Sequence, residues 1–344
     1  MSNYFPAANY PGIFSTPEWL DAWQNAWADH SAITAAGAHQ SALVGRQQFY
    51  SYQQKKSSIL SFTTLFPAGI STSASPSLRS EYFMLVNQKP DDFIAAALCH
   101  KWSQLFIPDM ISTTPEYAAI VKAAESNGLT VLVRDAATSY AVRLQENSFD
   151  NYLKHIGSNT RLKLFNKRKK LYAIGEISQQ NLWPDVDSFI KILNEFRVQR
   201  WNKPCYQGRN LKQITAFLQN IAQAGGRPDL SVIYCDGKPV SAVLDLYYRQ
   251  RIYNIQSGYI EKFRDGISLG TLHLGLQIEK AFATDAIYYD FMAGSGKKSN
   301  YKKSLATHSA QFASLMLVRS PLLKKLYYIK DRLLGMTTSK GSLL

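Results

Sequence analysis

The chain has 344 residues, which is longer than one ordinary domain and suggests about two. Hydrophobic residues make up 46% of the chain and charged residues 19%, a balance that supports folded cores and excludes global disorder. Lys and Arg total 39 against 25 Asp and Glu, so the net charge is +14. That charge favours an anionic partner, such as a phosphorylated cofactor, a nucleic acid or a membrane surface.

The chain has three cysteines, which are far apart in the sequence: Cys99, Cys205 and Cys235. This argues against a disulfide framework and against a four-cysteine zinc site. The first residues lack the basic and apolar regions of a secretory signal, and no apolar run reaches the roughly 18 residues that span a bilayer. The sequence therefore predicts a cytoplasmic protein.

The first predicted domain covers residues 1–145. Ser15 to Glu18 has the spacing of a capping box, and Trp19, Trp23 and Trp27 follow at the helical spacing of a buried face. Strands and helices alternate after this helix, which is typical of an α/β or α+β unit. The predicted strands are 58–66, 82–86, a short one from 107, and 129–133. Two helices are predicted, one capped by Asp91 and one at 117–127.

The second predicted domain covers residues 146–320. It opens with a short helix at 148–153 and a basic helix that starts at Ser158, with six cations and no acid from Arg161 to Lys170. Leu164, Phe165, Leu171 and Tyr172 are its predicted buried side. Helices are predicted at 189–201, 211–224, 271–283 and 300–305, and strands at 230–235, 240–248, 251–259, 287–291 and 311–318. A basic C-terminal helix and tail, 321–344, completes the chain.

A glycine loop joins the strand 251–259 to the helix that follows it. Glycines at positions 266 and 270 let the backbone turn tightly and approach a ligand closely. Backbone N–H groups at a helix N-terminus bind phosphate without a charged side chain. The predicted anion-binding residues are Gly266, Ile267, Ser268, Leu269 and Gly270, and the alternative is an ordinary helix start.

The order of three antiparallel strands, a glycine loop, a helix and a further strand resembles the GNAT acyltransferase superfamily, in which this loop holds the pyrophosphate of an acyl-CoA. Tyr289-Asp290-Phe291, Gly294 and Tyr301-Lys302 resemble the D-F-x-x-G…Y-K signature of its CelD-like, Fem-related branch. The basic helix, and Glu18-Trp19-Leu20 with Trp23, are similar to other segments of these proteins. One departure is Gly266-Ile267-Ser268, where many members carry Pro-Gly.

This resemblance implies an α+β fold with tandem GNAT-like halves. Each half would be a mixed, mainly antiparallel sheet flanked by helices, and the C-terminal half would be the better formed. The acyl thioester would lie between the strands 251–259 and 287–291, where a backbone N–H near Ser257 and Gly258 polarises its carbonyl.

The resemblance also implies catalytic roles. Asp290 is the first candidate for the base and Asp245 the second, while Tyr301 is the candidate acid for the leaving thiolate. Each has a structural alternative: Asp290 could cap a turn, Asp245 could pair with an arginine on the next strand, and Tyr301 could be a packed aromatic.

The predicted function is an acyl-CoA-dependent acyltransferase that uses acetyl-CoA or another acyl-CoA. Its acceptor would be an amine or hydroxyl, on a sugar or on a cell-envelope or polysaccharide precursor. Two alternatives are a tRNA-dependent Fem-type aminoacyl ligase and a non-catalytic GNAT-fold assembly protein. The basic helix could contact tRNA, and the C-terminal helix could touch a membrane. No metal is predicted, because the histidines show neither H-x-x-x-H nor H-E-x-x-H spacing.

Overall fold

The structure, a computed structural model, describes residues 12–36, 48–55, 60–293 and 300–333. The helices are α1 Pro17–Trp27, α2 Pro90–Leu98, α3 Pro115–Ser126, α4 Phe149–His155, α5 Ser158–Arg161, α6 Arg168–Tyr172, α7 Val186–Trp201, α8 Gly208–Gln223, α9 Leu269–Phe282, α10 Asn300–Leu305 and α11 Pro321–Leu333. The strands are β1 Thr34–Ala35, β2 Phe49–Lys55, β3 Ser61–Pro67, β4 Gln104–Ile111, β5 Thr130–Arg143, β6 Ile177–Asn181, β7 Arg227–Cys235, β8 Lys238–Tyr248, β9 Arg251–Tyr259, β10 Tyr288–Ala293 and β11 His308–Val318.

The chain divides into two compact units. Unit 1 comprises Met1–Ile13, Pro17–Ala22 and Ala137–Gln311, and unit 2 comprises Phe14–Thr16, Trp23–Ala136 and Phe312–Leu344. The domain boundaries predicted from the sequence lie after residues 145 and 320 instead. The difference arises because β5 and β11 each continue from one unit into the other, and because α11 belongs with unit 2.

Unit 1 contains a sheet in the order β5-β10-β9-β8-β7-β6, in which β9 and β10 are parallel and the other neighbours antiparallel. Two tight turns connect β7, β8 and β9. Asp236-Gly237 has φ values of 50° and 73°, and Arg249-Gln250 has 46° and 61°. Positive φ at both central residues is typical of hairpin turns that match the twist of a sheet. Both turns lie between the strands that the sequence predicts at 230–235, 240–248 and 251–259.

Unit 2 contains the strand order β1-β2-β3-β4-β11. Here β2 and β3 form an antiparallel pair, α2 follows, and β4 returns parallel to β3. Unit 1 repeats this pattern with β8, β9, α9 and β10. In each unit the parallel strand then pairs antiparallel with a strand from the other half of the chain, β4 with β11 and β10 with β5. The predicted α+β class with tandem GNAT-like halves is therefore confirmed.

The tryptophans of α1 are core residues, as their spacing predicts. Trp19, Trp23 and Trp27 are at most 4% exposed. The indole of Trp19 lies edge-on to Phe217 of α8 with ring centroids 5.0 Å apart, and the indole N–H of Trp23 donates to the Ser77 hydroxyl. These tryptophans therefore form no exposed aromatic binding face.

One predicted strand and one predicted helix cap in unit 2 are wrong. Residues 82–86, all described, form no strand, because Tyr82 and Asn87 have φ values of 58° and 53° that an extended chain does not adopt. Asp91 does not cap the next helix: α2 begins at Pro90, Lys89 is its N-cap, and Asp91 lies in the first turn.

The predicted continuous basic helix consists of three short pieces. A π-helical turn, Leu162–Asn166, separates α5 from α6. Such a turn holds more residues than an α-turn and so rotates the residues that follow it around the axis. Leu164 and Leu171 are fully buried as predicted, but Tyr172 is 55% exposed. The prediction that Tyr172 lies on the buried side is therefore wrong.

Candidate functional site

An opening between β9 and β10 is the central feature of unit 1. The two strands pair at only three positions, which join Arg251 to Tyr288, Ile252 to Tyr289, and Tyr253 to Asp290. Both strands continue beyond these pairs, β9 to Tyr259 and β10 to Ala293. All these residues are described, so the strands separate after their first pairs.

A bulge in β9 accompanies this separation. Leu244 of β8 faces Gln256, but the next residue, Asp245, faces Asn254, which leaves Ile255 as an extra residue. Bulges bend a strand and increase its twist. Beyond the bulge, the N–H of Ser257 donates to the side-chain oxygen of Gln256 at 3.1 Å. Gly258 has a packing role: a Cβ there would lie 2.9 Å from Cδ1 of Leu193 on α7.

The N-terminus of α9 begins at the glycine loop. Ser268 is its N-cap, but the Ser268 hydroxyl pairs with the Thr271 hydroxyl at 3.1 Å and no side chain caps the backbone. The N–H groups of a first helical turn have no partner within the helix and are suited to an anion. The N–H of Ile267 donates to the carbonyl of Arg264 at 3.1 Å and forms the turn, with φ of 75° at Gly266.

The basic segment 158–172 packs on α9 and brings a cation to this loop. A Cβ on Gly275 would lie 2.3 Å from the carbonyl oxygen of Leu164, so only glycine permits this approach of the π-turn. As a result Lys167 reaches the loop: its Nζ lies 3.8 Å from the position of a Cβ on Gly266. An ammonium group beside uncapped helix amides makes the corner electropositive.

Tyr259, at the end of β9, links the loop to α7. A Cβ on Gly270 would lie 2.3 Å from the Tyr259 ring, so Gly270 lets the first turn of α9 rest on this tyrosine. The Tyr259 hydroxyl accepts from Nη1 of Arg200 at 3.0 Å, and Nε of Arg200 pairs with Glu261 at 2.6 Å. Sequence reasoning missed Tyr259 and Arg200, because neither residue belongs to a local motif.

Tyr301 lies in α10 and is 41% exposed. Desolvation raises the pKa of its phenol above the ordinary 10.0, the nearby Tyr259 raises it further, and Arg200 opposes them. Its neighbour Lys302 donates from Nζ to the carbonyls of Phe291 and Met292 at 2.7 and 3.0 Å. Lys302 thus fixes α10 to the end of β10, and Tyr301 lies beside the end of β9. Gly294 of the same signature lies outside the described residues.

Asp290 is fully buried on β10. Its carboxylate accepts from the Met292 N–H at 2.7 Å, the Ser139 hydroxyl at 3.2 Å and Nη1 of Arg251 at 3.2 Å. These contacts favour the turn-capping alternative. A role for Asp290 as a base stays a prediction.

Asp245 lies near the opposite end of α9 from the glycine loop. Its carboxylate accepts from Asn254 at 2.7 Å, from Gln277 at 3.0 Å and from the Tyr289 hydroxyl at 2.8 Å, rather than from an arginine. It also lines a cavity of about 220 Å³ with Asp229 and Lys280. The structure therefore gathers Ser257, the loop 266–270 and Tyr301 around the opening, and holds Asp245 apart from that loop.

Burial gives Asp245 a measurable pH signature. Desolvation raises its pKa from 3.8 to about 7, against the hydrogen bonds that favour the carboxylate. The folded protein therefore binds the proton more tightly than the unfolded chain does. The free energy of unfolding should fall by at most about 4 kcal/mol as the pH rises from 3.8 to about 7.

The Asp245→Asn variant should lack this fall, which urea unfolding at a series of pH values measures. His273 acts in the opposite direction: burial lowers its pKa from 6.5 to about 3, so it destabilises the protein as the pH falls through that range. The difference between wild type and variant at each pH isolates Asp245. Asp187→Asn, at an exposed site on α7, is the control and should keep the wild-type profile. Identical profiles for wild type and Asp245→Asn would show that the Asp245 pKa is not raised.

His273 is a structural residue. It is fully buried, and its two ring nitrogens pair with the hydroxyls of Ser231 and Ser241 at 2.9 Å each. Within the described ranges, no group of His, Cys, Asp and Glu side chains has the arrangement to hold a metal ion. A search of the same residues finds no helix with the length and apolar character to cross a membrane.

Comparisons with known proteins agree with this geometry. Residues 158–303 match the family model of an acetyltransferase (GNAT) domain. The crystal structure of FemX is similar at a TM-score of 0.56 and 12% identity, covering 91% of this chain and 96% of that one. A conserved protein of unknown function from Bacteroides thetaiotaomicron VPI-5482 gives 0.51 and 9%, covering 88% and 90%. At these identities the likeness shows the fold. No curated protein sequence matches the chain.

Proposed function

We propose that the protein is an acyl-CoA-dependent acyltransferase of GNAT type, of the CelD-like, Fem-related branch. The observation that supports this most directly is the separation of β9 and β10 after three paired positions. A thioester can reach the centre of a sheet only through an opening of this kind. There it lies between the backbone groups of two strands. The expected donor is acetyl-CoA or a longer acyl-CoA.

The donor's pyrophosphate would bind at the loop 266–270. Its oxygens are suited to accept from the N–H groups of the first turn of α9, beside the ammonium group of Lys167. The thioester carbonyl would then accept from the N–H of Ser257, replacing the side-chain oxygen of Gln256 as its partner. The residues present thus fit an acyl-CoA.

The reaction transfers an acyl group in one direct step. The acceptor's nitrogen or oxygen attacks the thioester carbonyl carbon, its proton passes to a base, and the carbon–sulfur bond breaks. Tyr301 donates its phenolic proton to the leaving thiolate and is afterwards reprotonated from solvent. Asp245, whose raised pKa suits a base near neutral pH, could receive the acceptor's proton through Tyr289 or water, since both of its oxygens already accept hydrogen bonds from protein groups.

The acceptor is proposed by analogy. An amine or hydroxyl on a sugar, or on a cell-envelope or polysaccharide precursor, follows from the resemblance to the branch rather than from the site. A cytoplasmic location is likewise a proposal that does not follow from the site.

Thermal denaturation with donor compounds tests the proposal. Acetyl-CoA or a longer acyl-CoA should raise the melting temperature in a concentration-dependent way, because a ligand that binds only the folded state stabilises it. Free adenosine should not do so. The proposal is wrong if acyl-CoAs of every tested chain length leave the melting temperature unchanged.

Lys167→Gln should weaken acyl-CoA binding about tenfold, because it removes one charge-assisted contact to phosphate. Lys169→Gln is the matched control: it removes an equal charge from the same basic segment at an exposed position, and its affinity should stay within about twofold of wild type. Isothermal titration measures both. Equal losses in the two variants would show that Lys167 acts only through the overall charge.

One observation supports a second candidate, a tRNA-dependent aminoacyl ligase. Lys163, Lys169 and Lys170 of the basic segment are exposed and could contact nucleic-acid phosphates. Such binding would weaken steeply with salt, so filter binding of tRNA at increasing salt distinguishes this candidate. Binding of neither acyl-CoA nor tRNA would favour the third interpretation, a non-catalytic assembly protein.

A further inference from the structure

The helix α11 presents apolar side chains to solvent. Leu322, Tyr328 and Ile329 are 47%, 56% and 51% exposed, and each stands among the large hydrophobic residues with the greatest exposure in the described part of the chain. The opposite side of the helix is occupied: Leu323 and Tyr327 are buried against Phe62 and Val318 within unit 2. The exposed side chains are therefore not needed for the docking of α11.

These apolar side chains share one side of α11 with cations. Residues three or four apart are neighbours on a helix surface, so Leu322, Lys325, Ile329 and Arg332 form a row, with Tyr328 beside it. Lys325 and Arg332 are exposed, and the Arg332 guanidinium lies 5.3 Å from the centroid of the Tyr328 ring. We name these five residues the outer face of α11.

The charged residues of α11 are mostly positive. It carries Lys324, Lys325, Lys330 and Arg332, and its acid, Asp331, is half-buried. Nζ of Lys324 donates to the carbonyl of Gly128 at 2.9 Å, so this lysine holds the helix in place. The outer face itself contains no acid.

We propose that the outer face of α11 docks on the surface of an anionic lipid bilayer. Aliphatic side chains enter the boundary between headgroups and acyl chains, and a tyrosine ring is favoured at that depth. The long stems of Lys325 and Arg332 lie along the apolar surface while their charges contact anionic headgroups. The helix would thus lie flat on the membrane, with Leu323 and Tyr327 still packed in unit 2.

The charge pattern favours a lipid surface over an acidic protein. The cations of the outer face flank the apolar residues along one helix, which matches a laterally uniform layer of negative headgroups above an apolar interior. This inference does not depend on the proposed acyl transfer, since α11 contributes no residue to the site at β9 and β10.

Co-sedimentation of the full chain with vesicles tests the proposal. Vesicles of phosphatidylcholine and phosphatidylglycerol in equal parts should bind the protein, and pure phosphatidylcholine should bind it at least tenfold more weakly. Leu322→Glu with Ile329→Glu, and separately Lys325→Glu with Arg332→Glu, should each weaken binding to the anionic vesicles by roughly tenfold or more. Because all four side chains are exposed, the melting temperatures should stay within a few degrees of wild type.

Val198→Glu is the matched control. It places a new acid at a valine of a different helix, α7, that is 44% exposed, and the variant should bind anionic vesicles as the wild type does. Three outcomes would overturn the proposal: no binding of wild type to anionic vesicles, equal binding by the outer-face variants and wild type, or loss of binding only when Lys169 and Lys170 are changed. The last would assign the membrane contact to the basic segment.

Discussion

Tyr301→Phe is expected to slow turnover about a hundredfold while acyl-CoA binds with nearly unchanged affinity. The phenol donates a proton to the leaving thiolate only as the carbon–sulfur bond breaks, so its loss affects the chemical step and not donor binding. Desolvation and Tyr259 raise the pKa of Tyr301, which keeps its proton in place at neutral pH. Steady-state kinetics together with titration of acyl-CoA separate the two effects.

Tyr172→Phe is the control for this prediction. Tyr172 is 55% exposed at the end of α6, and removal of its hydroxyl should leave both turnover and affinity unchanged. Wild-type turnover in Tyr301→Phe would remove Tyr301 from the mechanism without contradicting donor binding. A parallel loss of affinity and turnover would instead make Tyr301 a binding residue.

Gly275→Ala is expected to lower the free energy of unfolding by about 3 kcal/mol, near the upper end for overpacking of a core. The added methyl group would lie 2.3 Å from the carbonyl oxygen of Leu164, and neither backbone can move without breaking helical hydrogen bonds. Urea denaturation measures the change. Displacement of the π-turn should also move Lys167 from the glycine loop, so acyl-CoA affinity should fall with stability.

Gly157→Ala provides the comparison, since a Cβ there meets nothing within 4 Å and the residue has an ordinary φ of −57°. Because Gly157 is the N-cap of α5, Gly157→Ala should lower the free energy of unfolding by at most about 1 kcal/mol. If Gly275→Ala were as stable as Gly157→Ala, the close packing of the basic segment on α9 would be contradicted.

The strands β7, β8 and β9 of unit 1 could be predicted because the sequence signals for strands and turns are local. Asp236-Gly237 and Arg249-Gln250 mark the two turns, and the strands between them alternate clearly enough to fix the order β7, β8, β9. The broken basic helix could not be predicted, because α and π turns use the same residues and the choice depends on the contact of Leu164 with Gly275. The strand expected at 82–86 fails because local propensity does not show that Tyr82 has a positive φ.

The candidate site shows the same limit. The loop at 266–270 and Tyr301 were predicted because glycines and a Tyr-Lys pair stand at recognisable positions. Tyr259 and Arg200 were missed, because their importance lies in a contact between the end of β9 and α7 that joins residues 59 positions apart. The surroundings of Asp290, a buried carboxylate with an arginine and a turn amide, likewise come from tertiary contacts.

The exchange of final strands between the two halves affects how the chain can be made. In unit 2 the N–H of Asp109 on β4 donates to the hydroxyl of Ser314 on β11, 205 residues away. A nascent chain that has left the ribosome as far as the middle of the sequence therefore carries β4 with a bare edge, which invites pairing with other chains. Synthesis must be almost complete before unit 2 can close, so unit 2 gains its final strand late although most of its residues are made first.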